Sequence, residues 1–150
     1  MTYKRTIREL LEYRVKHTPE FVFAAHKDKE ISFSTLGVSV NRLANGLAEA
    51  GIAAGESVAV MLHNHADHIF TLFAIASLGA VWVPININLQ GQSLAYIIKQ
   101  SNPSALIVDT EFWDQVEAVV TDREIDIIIL RNHPMPTQRA NVLDFTAVAQ

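Results

Sequence analysis

With 150 residues and 49% hydrophobic content, the chain is long enough for one domain or parts of two and can bury a sizeable core, which argues against disorder. A formal net charge of -4 without any lysine or arginine cluster leaves no electrostatic footprint for nucleic acid or an anionic membrane. The absence of cysteine excludes disulfide frameworks, thiolate metal sites and cysteine nucleophiles. The N-terminus lacks the apolar core of a signal peptide and no apolar run is long enough for a transmembrane segment, so the expectation is a cytoplasmic protein.

Thr6 to Glu9 has the T-x-x-E pattern of a capping box, and Ile7, Leu10, Leu11 and Val15 recur at helical spacing, predicting a helix from Thr6 to about His17. FVFAAH and EISFS flank the polar turn Lys27-Asp28-Lys29, and both flanks are dense in strand-forming residues, which predicts a β-hairpin. From Ser34 to Gly51 the pattern is helical again, with Leu36, Val40, Leu43, Ala44 and Leu47 on one stripe; Gly37 and Gly46 weaken that helix.

Ser57 to Asn88 then reads as strand, helix, strand. SVAVML is a short apolar strand, Asn64 is the expected N-cap with Asp67 three residues on, and Gly79 sits where a C-terminal cap belongs. The helix between carries Ile69, Phe70, Leu72, Phe73, Ile75 and Leu78 nearly all round, so cover on more than one side is expected. AVWV is the second strand, stopping at Pro84. A helix near Gln92 to Gln100, with inner face Leu94, Ile97 and Ile98, is broken by Ser101-Asn102-Pro103. ALIVD is a buried-type strand, Thr110 to Thr121 an amphipathic helix, and IDIIIL the most apolar strand. RNHPMPTQRANV reads as loop, and LDFTAVAQ as the start of a helix.

The fold class expected is therefore α/β, with a helix-hairpin-helix prologue over residues 1–54 and a mainly parallel, doubly wound sheet over 55–150, incomplete at its C-terminal end. Sheets of this kind bind ligands outside their strand C-terminal ends, here His63-Asn64, Pro84 to Asn88, Asp109-Thr110 and Arg131-Asn132.

His63, His65, His68 and Asp67 invite a metal, but the spacing puts His65 and His68 at i, i+3 and His63 before the cap. Solvated polar residues at a strand-to-helix junction, with Asp67 complementing the helix dipole, are the simpler reading, so no metal site is expected. The six glycines form neither G-x-G-x-x-G nor a P-loop, leaving nucleotide binding by this segment unsupported. Asp109, ending a strand, resembles the acceptor of a phosphorelay receiver, which makes a stand-alone binding or signalling domain the alternative; SVAVMLH, however, supplies no acidic pair for magnesium. No G-x-S-x-G turn exists to start a hydrolase triad, and Trp82 and Trp113 read as packing residues.

Taken together, ISFSTL, NRLANGLAEAGIAAGESVAVMLHN, SLGAVWVPININ and QSLAYIIKQSNPSALIVD resemble, in register, the N-terminal part of the adenylate-forming (AMP-binding) superfamily, in particular an acyl-CoA synthetase. ISFSTL is similar to the family's L-[TS]-Y-x-E-L motif, with Thr35 where glutamate is common, and LGAVWVPIN to the motif ending in V-P-x-[DN]. The resemblance implies an acid-thiol ligase: a carboxylic acid attacks ATP to give an acyl-adenylate, and a thiol, CoA or a carrier protein, then takes the acyl group, with Mg2+ present. It places the phosphate loop and catalytic lysine downstream, so the 150 residues are expected to be inactive alone, to contain no catalytic residue, and to have the remainder of their own polypeptide as partner. It also implies that the prologue lacks part of its usual cover, which makes a homodimer possible. Among site residues the resemblance carries over only Asn88, at a loop position where relatives can hold a basic residue near the coenzyme; a plain turn-forming role for Asn86 and Asn88 stands beside it.

Overall fold

A computed structural model of the chain describes residues 6–26, 29–120, 125–132 and 141–150. Residues 27 and 28 of the expected hairpin turn, Thr121 and most of the loop after Asn132 lie outside the described residues. The first helix, α1 (Ile7–His17), starts as its sequence requires: the Glu9 N–H donates to Thr6 Oγ1 at 3.1 Å and the Thr6 N–H donates to Glu9 Oε2 at 2.8 Å. β1 (Val22–His26) and β2 (Lys29–Ser32) pair antiparallel, as expected of the hairpin.

Helix α2 (Phe33–Glu49) begins earlier than the sequence pattern indicates. Ser32 Oγ accepts the Thr35 N–H at 3.2 Å, so the chain turns helical directly after β2, and Phe33 faces the core instead of extending the strand. The two helix-weakening glycines have a packing reason. A Cβ on Gly37 would lie 2.7 Å from Val15 Cγ2 of α1, and one on Gly46 would lie 1.7 Å from the Val148 carbonyl oxygen. Both mark places where another segment crosses α2 with no room for a side chain.

Five parallel strands follow: β3 (Ser57–Met61), β4 (Val81–Pro84), β5 (Ala105–Asp109), β6 (Ile127–Arg131) and β7 (Val142–Asp144), in the order β4-β3-β5-β6-β7. Strand alternation divides the core. Val58, Val60, Ile107 and Ile129 face α2 and α3 (Ala66–Ser77), whereas Ala59, Met61, Leu106, Val108 and Leu130 face α4 (Gly91–Ser101) and α5 (Trp113–Val120). Every residue of β5 is buried, which is why its sequence is a continuous apolar run up to its last position.

Three local readings are corrected. The N-cap of α3 is His65, whose Nδ1 accepts the Asp67 N–H at 3.2 Å, one residue later than Asn64. The segment after β5 enters a short 3-10 turn, Thr110–Phe112, before α5. Val142 to Asp144, expected as loop and helix start, forms edge strand β7; Asp144 then caps the short α6 (Phe145–Val148) by accepting the Ala147 N–H at 3.0 Å. Three residues are too few to show a strand period, and their pairing with β6 comes from the sheet's open edge. Helix α3 has no fully exposed residue, in keeping with its apolar residues on all sides, and Asn102 ends α4 in the left-handed region at φ 42.

Candidate functional site: the C-terminal edge of the sheet

The strand order reverses between β3 and β5: the chain moves from β3 outward to β4, then returns across β3 to lay down β5, β6 and β7 on the other side. Ligands of doubly wound sheets occupy the crevice at such a reversal, outside the strand C-termini. Here the crevice is bounded by His63 after β3, Asp109 ending β5 and Arg131 ending β6.

Asp109 is fully buried and Arg131 is 7% exposed. Register sets them side by side, since Asp109 and Arg131 are direct partners across the β5–β6 ladder. Arg131 Nη1 donates to Asp109 Oδ1 at 2.5 Å and Nε donates to Asp67 Oδ2 at 2.8 Å, so one guanidinium ties two strand ends to the first turn of α3. The His63 N–H donates to Asp109 Oδ2 at 2.8 Å and the Asn132 side-chain amide to Oδ1 at 3.4 Å. Burial works against the Arg131 charge, but hydrogen bonds to Asp67 and Asp109 and attraction by both carboxylates outweigh it, so the guanidinium holds its proton more firmly than in water.

The three histidines that the sequence sets close together go to separate surroundings. The His63 side chain pairs through Nε2 with Glu111 Oε1 and lies on the Phe112 ring at a centroid distance of 4.8 Å. His65 caps α3; its Nδ1 is also 3.0 Å from Asp67 Oδ2, a contact that needs the opposite protonation state from the cap. His68 packs edge-on against Trp82, with centroids 6.0 Å apart, and among the described residues its Nε2 and the Trp82 Nε1 have no hydrogen-bond partner. Burial pushes the His68 imidazole below its ordinary value, over the opposing effects of a backbone hydrogen bond with His63 and the Asp109 charge. Among the described residues, the donors that converge are instead His63, Asp109 and Glu111, whose ligand atoms all lie within 4.8 Å of one another. Sequence spacing missed this group because its members come from different βα turns.

Asn88 is exposed in the turn after β4, where its backbone N–H donates to Asn86 Oδ1 at 2.9 Å. That is an Asx turn, and it offers a ligand a neutral amide without charge. The receiver alternative does not survive the geometry. Asp109 does stand at the end of the third strand of the sheet, but its carboxylate is buried and bonded at both oxygens, with a guanidinium where a phosphoryl donor would have to approach. Trp113 is fully buried in the α4–α5 face, a packing residue as expected.

A doubly wound α/β module with a helix-hairpin-helix prologue and a polar C-terminal edge is the class these elements define. Residues 11–148 match the profile of the family described as AMP-binding enzyme. The chain belongs to that family. It is 34% identical over 94 residues, 63% of its length, to a crotonobetaine/carnitine–CoA ligase of Salmonella paratyphi B, and 34% identical over 110 residues, 73% of its length, to a feruloyl-CoA synthase of Amycolatopsis. Those stretches are 18% and 22% of the two relatives, so the chain spans about a fifth of the length of the curated relatives it matches. Two solved structures share the fold. An anthranilate CoA ligase in complex with anthranoyl-AMP superposes with a TM-score of 0.84 at 23% identity, over 97% of this chain and 28% of the other. A putative long-chain-fatty-acid CoA ligase from Rhodopseudomonas palustris gives 0.87 at 19% identity, over 100% and 37%.

Proposed function

We propose that the chain is the N-terminal scaffold of an ATP-dependent acyl-CoA synthetase, in which a carboxylic acid and ATP give an acyl-adenylate and CoA then takes the acyl group. The observation that carries this reading is the family match over residues 11–148, joined to 34% identity with two enzymes named for CoA-thioester formation. The family implies ATP, Mg2+ and CoA. The edge described above does not fit a triphosphate: Asp67, Asp109 and Glu111 face it with Arg131 already committed to the first two, and the glycines make no phosphate cradle. No step of adenylation is therefore assigned to these residues, and the chemistry belongs to segments of the relatives that this chain does not span.

In this reading Asn88 lies beside the coenzyme, contributing position through its amide and no neutralisation of phosphate charge. The division at residues 54 and 55 is one of role. The prologue's α2 shares a core with the sheet, through Leu36, Val40 and Leu47 beside Val58 and Val60, while α1 and the hairpin form a rim. That rim is apolar: Phe21 is 61% exposed, and Ile7, Leu10 and Phe23 stand near it, around a groove floored by Phe33 and Phe73. In the whole protein the remainder of the polypeptide covers it, and in this chain alone a second copy does. Among the described residues no helix is long and apolar enough to cross a membrane.

The test is carboxylate-dependent exchange of labelled pyrophosphate into ATP by a polypeptide that includes this chain, over a panel of aliphatic and aromatic acids. Exchange with at least one acid is expected, along with none by residues 1–150 alone. A folded full-length protein inert to every acid would overturn the reading, and exchange by the 150 residues would overturn the location of the chemistry. The coenzyme position has its own readout: Asn88→Arg lowers the KM for CoA with the adenylation half-reaction unchanged, and an equal KM in wild type and variant would remove the assignment.

A further inference from the structure

We propose that His63, Asp109 and Glu111 form a binding site for one divalent transition-metal ion of the zinc type, clipping the β3–α3 loop to the turn after β5. The proposal is independent of the ligase reading. Its donors are one imidazole nitrogen and two carboxylates from two chain segments, His63 Nε2 on one side and the Asp109 and Glu111 oxygens on the other, all within 4.8 Å of one another. A nitrogen-and-oxygen set without thiolate suits Zn2+ or Mn2+. With metal–donor lengths of roughly 2.0–2.2 Å, donors around one ion stand about 3–3.5 Å apart, so His63 Nε2 and Glu111 Oε1, now in direct contact, have to part while the widest separation in the group closes by about 1.5 Å. His63 and Glu111 can supply that movement, since their side chains are 48% and 57% exposed. Asp109 does not have to move.

Three features besides the cluster itself favour an ion. The site lies at the reversal of strand order between β3 and β5, the crevice in which such sheets take ligands. The local charge calls for a cation: Asp67, Asp109 and Glu111 face one permanently charged group, Arg131, and two negative charges remain when the histidines are neutral. The donors are also held from behind. The Asp109 carboxylate has four lone-pair positions, of which the described donors His63 N–H, Arg131 and Asn132 use three, which orients the carboxylate and leaves a fourth open. Phe112 supports the His63 ring. On binding, the neutral His63 ring carries its proton on Nδ1, so that Nε2 and the Glu111 carboxylate both turn lone pairs to the ion. Water would complete the coordination, as in three-ligand zinc sites.

The experiment titrates Zn2+ alone into the chain by isothermal calorimetry, with long-range 1H–15N spectra of the imidazoles as a second readout. Wild type should bind one equivalent at micromolar Zn2+, with the His63 Nε2 resonance moving first. His63→Gln and Glu111→Gln should each weaken binding about tenfold or more, a loss at least as large as that from removing a supporting residue. His65→Ala should bind as wild type does. His63 and Glu111 are exposed, so far-UV circular dichroism is expected to show both variants folded. No saturable heat in wild type, equal binding by wild type and both glutamine variants, or loss of binding on His65→Ala would each overturn the proposal.

Discussion

The two polar-to-apolar boundaries of this molecule are built in opposite ways. At the C-terminal edge of the sheet, charged groups answer one another: the buried Asp109 and Arg131 and the half-buried Asp67 come from three elements and close a network with the His63 backbone. At the prologue rim, apolar groups are exposed: Phe21, Phe23, Ile7 and Leu10 lie in the open, although Phe23 meets the Phe33 ring at a tilt and the Phe73 ring edge-on, and the Arg14 guanidinium lies 4.8 Å from the Phe33 ring centroid. The edge ties its strand ends together through one guanidinium, whereas the rim leaves apolar side chains open to solvent.

The largest expected effect comes from breaking the edge. Arg131→Met leaves the Asp109 carboxylate buried without its cation and should cost about 3–5 kcal/mol, enough to approach unfolding of a marginally stable domain, as read by urea denaturation. Next, Gly46→Ala drives a methyl into the Val148 carbonyl and should displace α6 at about 1–3 kcal/mol, visible as a lower urea midpoint and as faster amide exchange in α6. Removing the α1 cap with Thr6→Ala should cost about 0.5–2 kcal/mol, with changes confined to α1 by helix-resolved chemical shifts.

A pH effect follows in size. The His68 imidazole is held below its ordinary value in the folded state, so the unfolded chain binds the proton first as pH falls. Stability is full above about pH 6.5 and declines as pH drops through that value toward the folded one. His68→Phe should flatten this slope between pH 7.5 and 5 in thermal melts, and an unchanged slope would place its origin elsewhere. Smallest in stability, yet most informative about the rim, is Phe21→Ser combined with Leu10→Ser, at two of the more exposed rim positions. The pair should leave the urea midpoint near wild type while shifting sedimentation at high concentration toward the monomer. A wild-type chain that is already monomeric would show that the rim needs no cover.

Much of the architecture was legible because the elements are locally consistent. The capping box at Thr6, the apolar stripe of α2 and the fully apolar β5 each carry their own period, and alternation of β with α then implies parallel pairing. Helix starts were less legible where two cap candidates lie close together. Ser32 and Ser34, or Asn64 and His65, differ only in which side chain can reach back to a free N–H. β7 was hidden by its brevity. The edge network could not be read from spacing, since Asp67, Asp109 and Arg131 are separated by 42 and 22 positions, but one signal was available: an acid and a base each terminating a buried apolar strand, which parallel register then sets side by side. The three histidines disperse for the reverse reason, because closeness along the chain at a strand-to-helix junction sends successive side chains in different directions.

Native-state hydrogen exchange of the 150-residue chain tests the contrast between edge and rim most directly. The account predicts that amides of β3, β5 and β6, together with the His63 N–H bonded to Asp109, exchange only through global unfolding, while those of α1 and the β1–β2 hairpin exchange through local opening at a much lower free energy. Equal protection of both regions in the monomer, or a β5 end that opens before the hairpin, would contradict it.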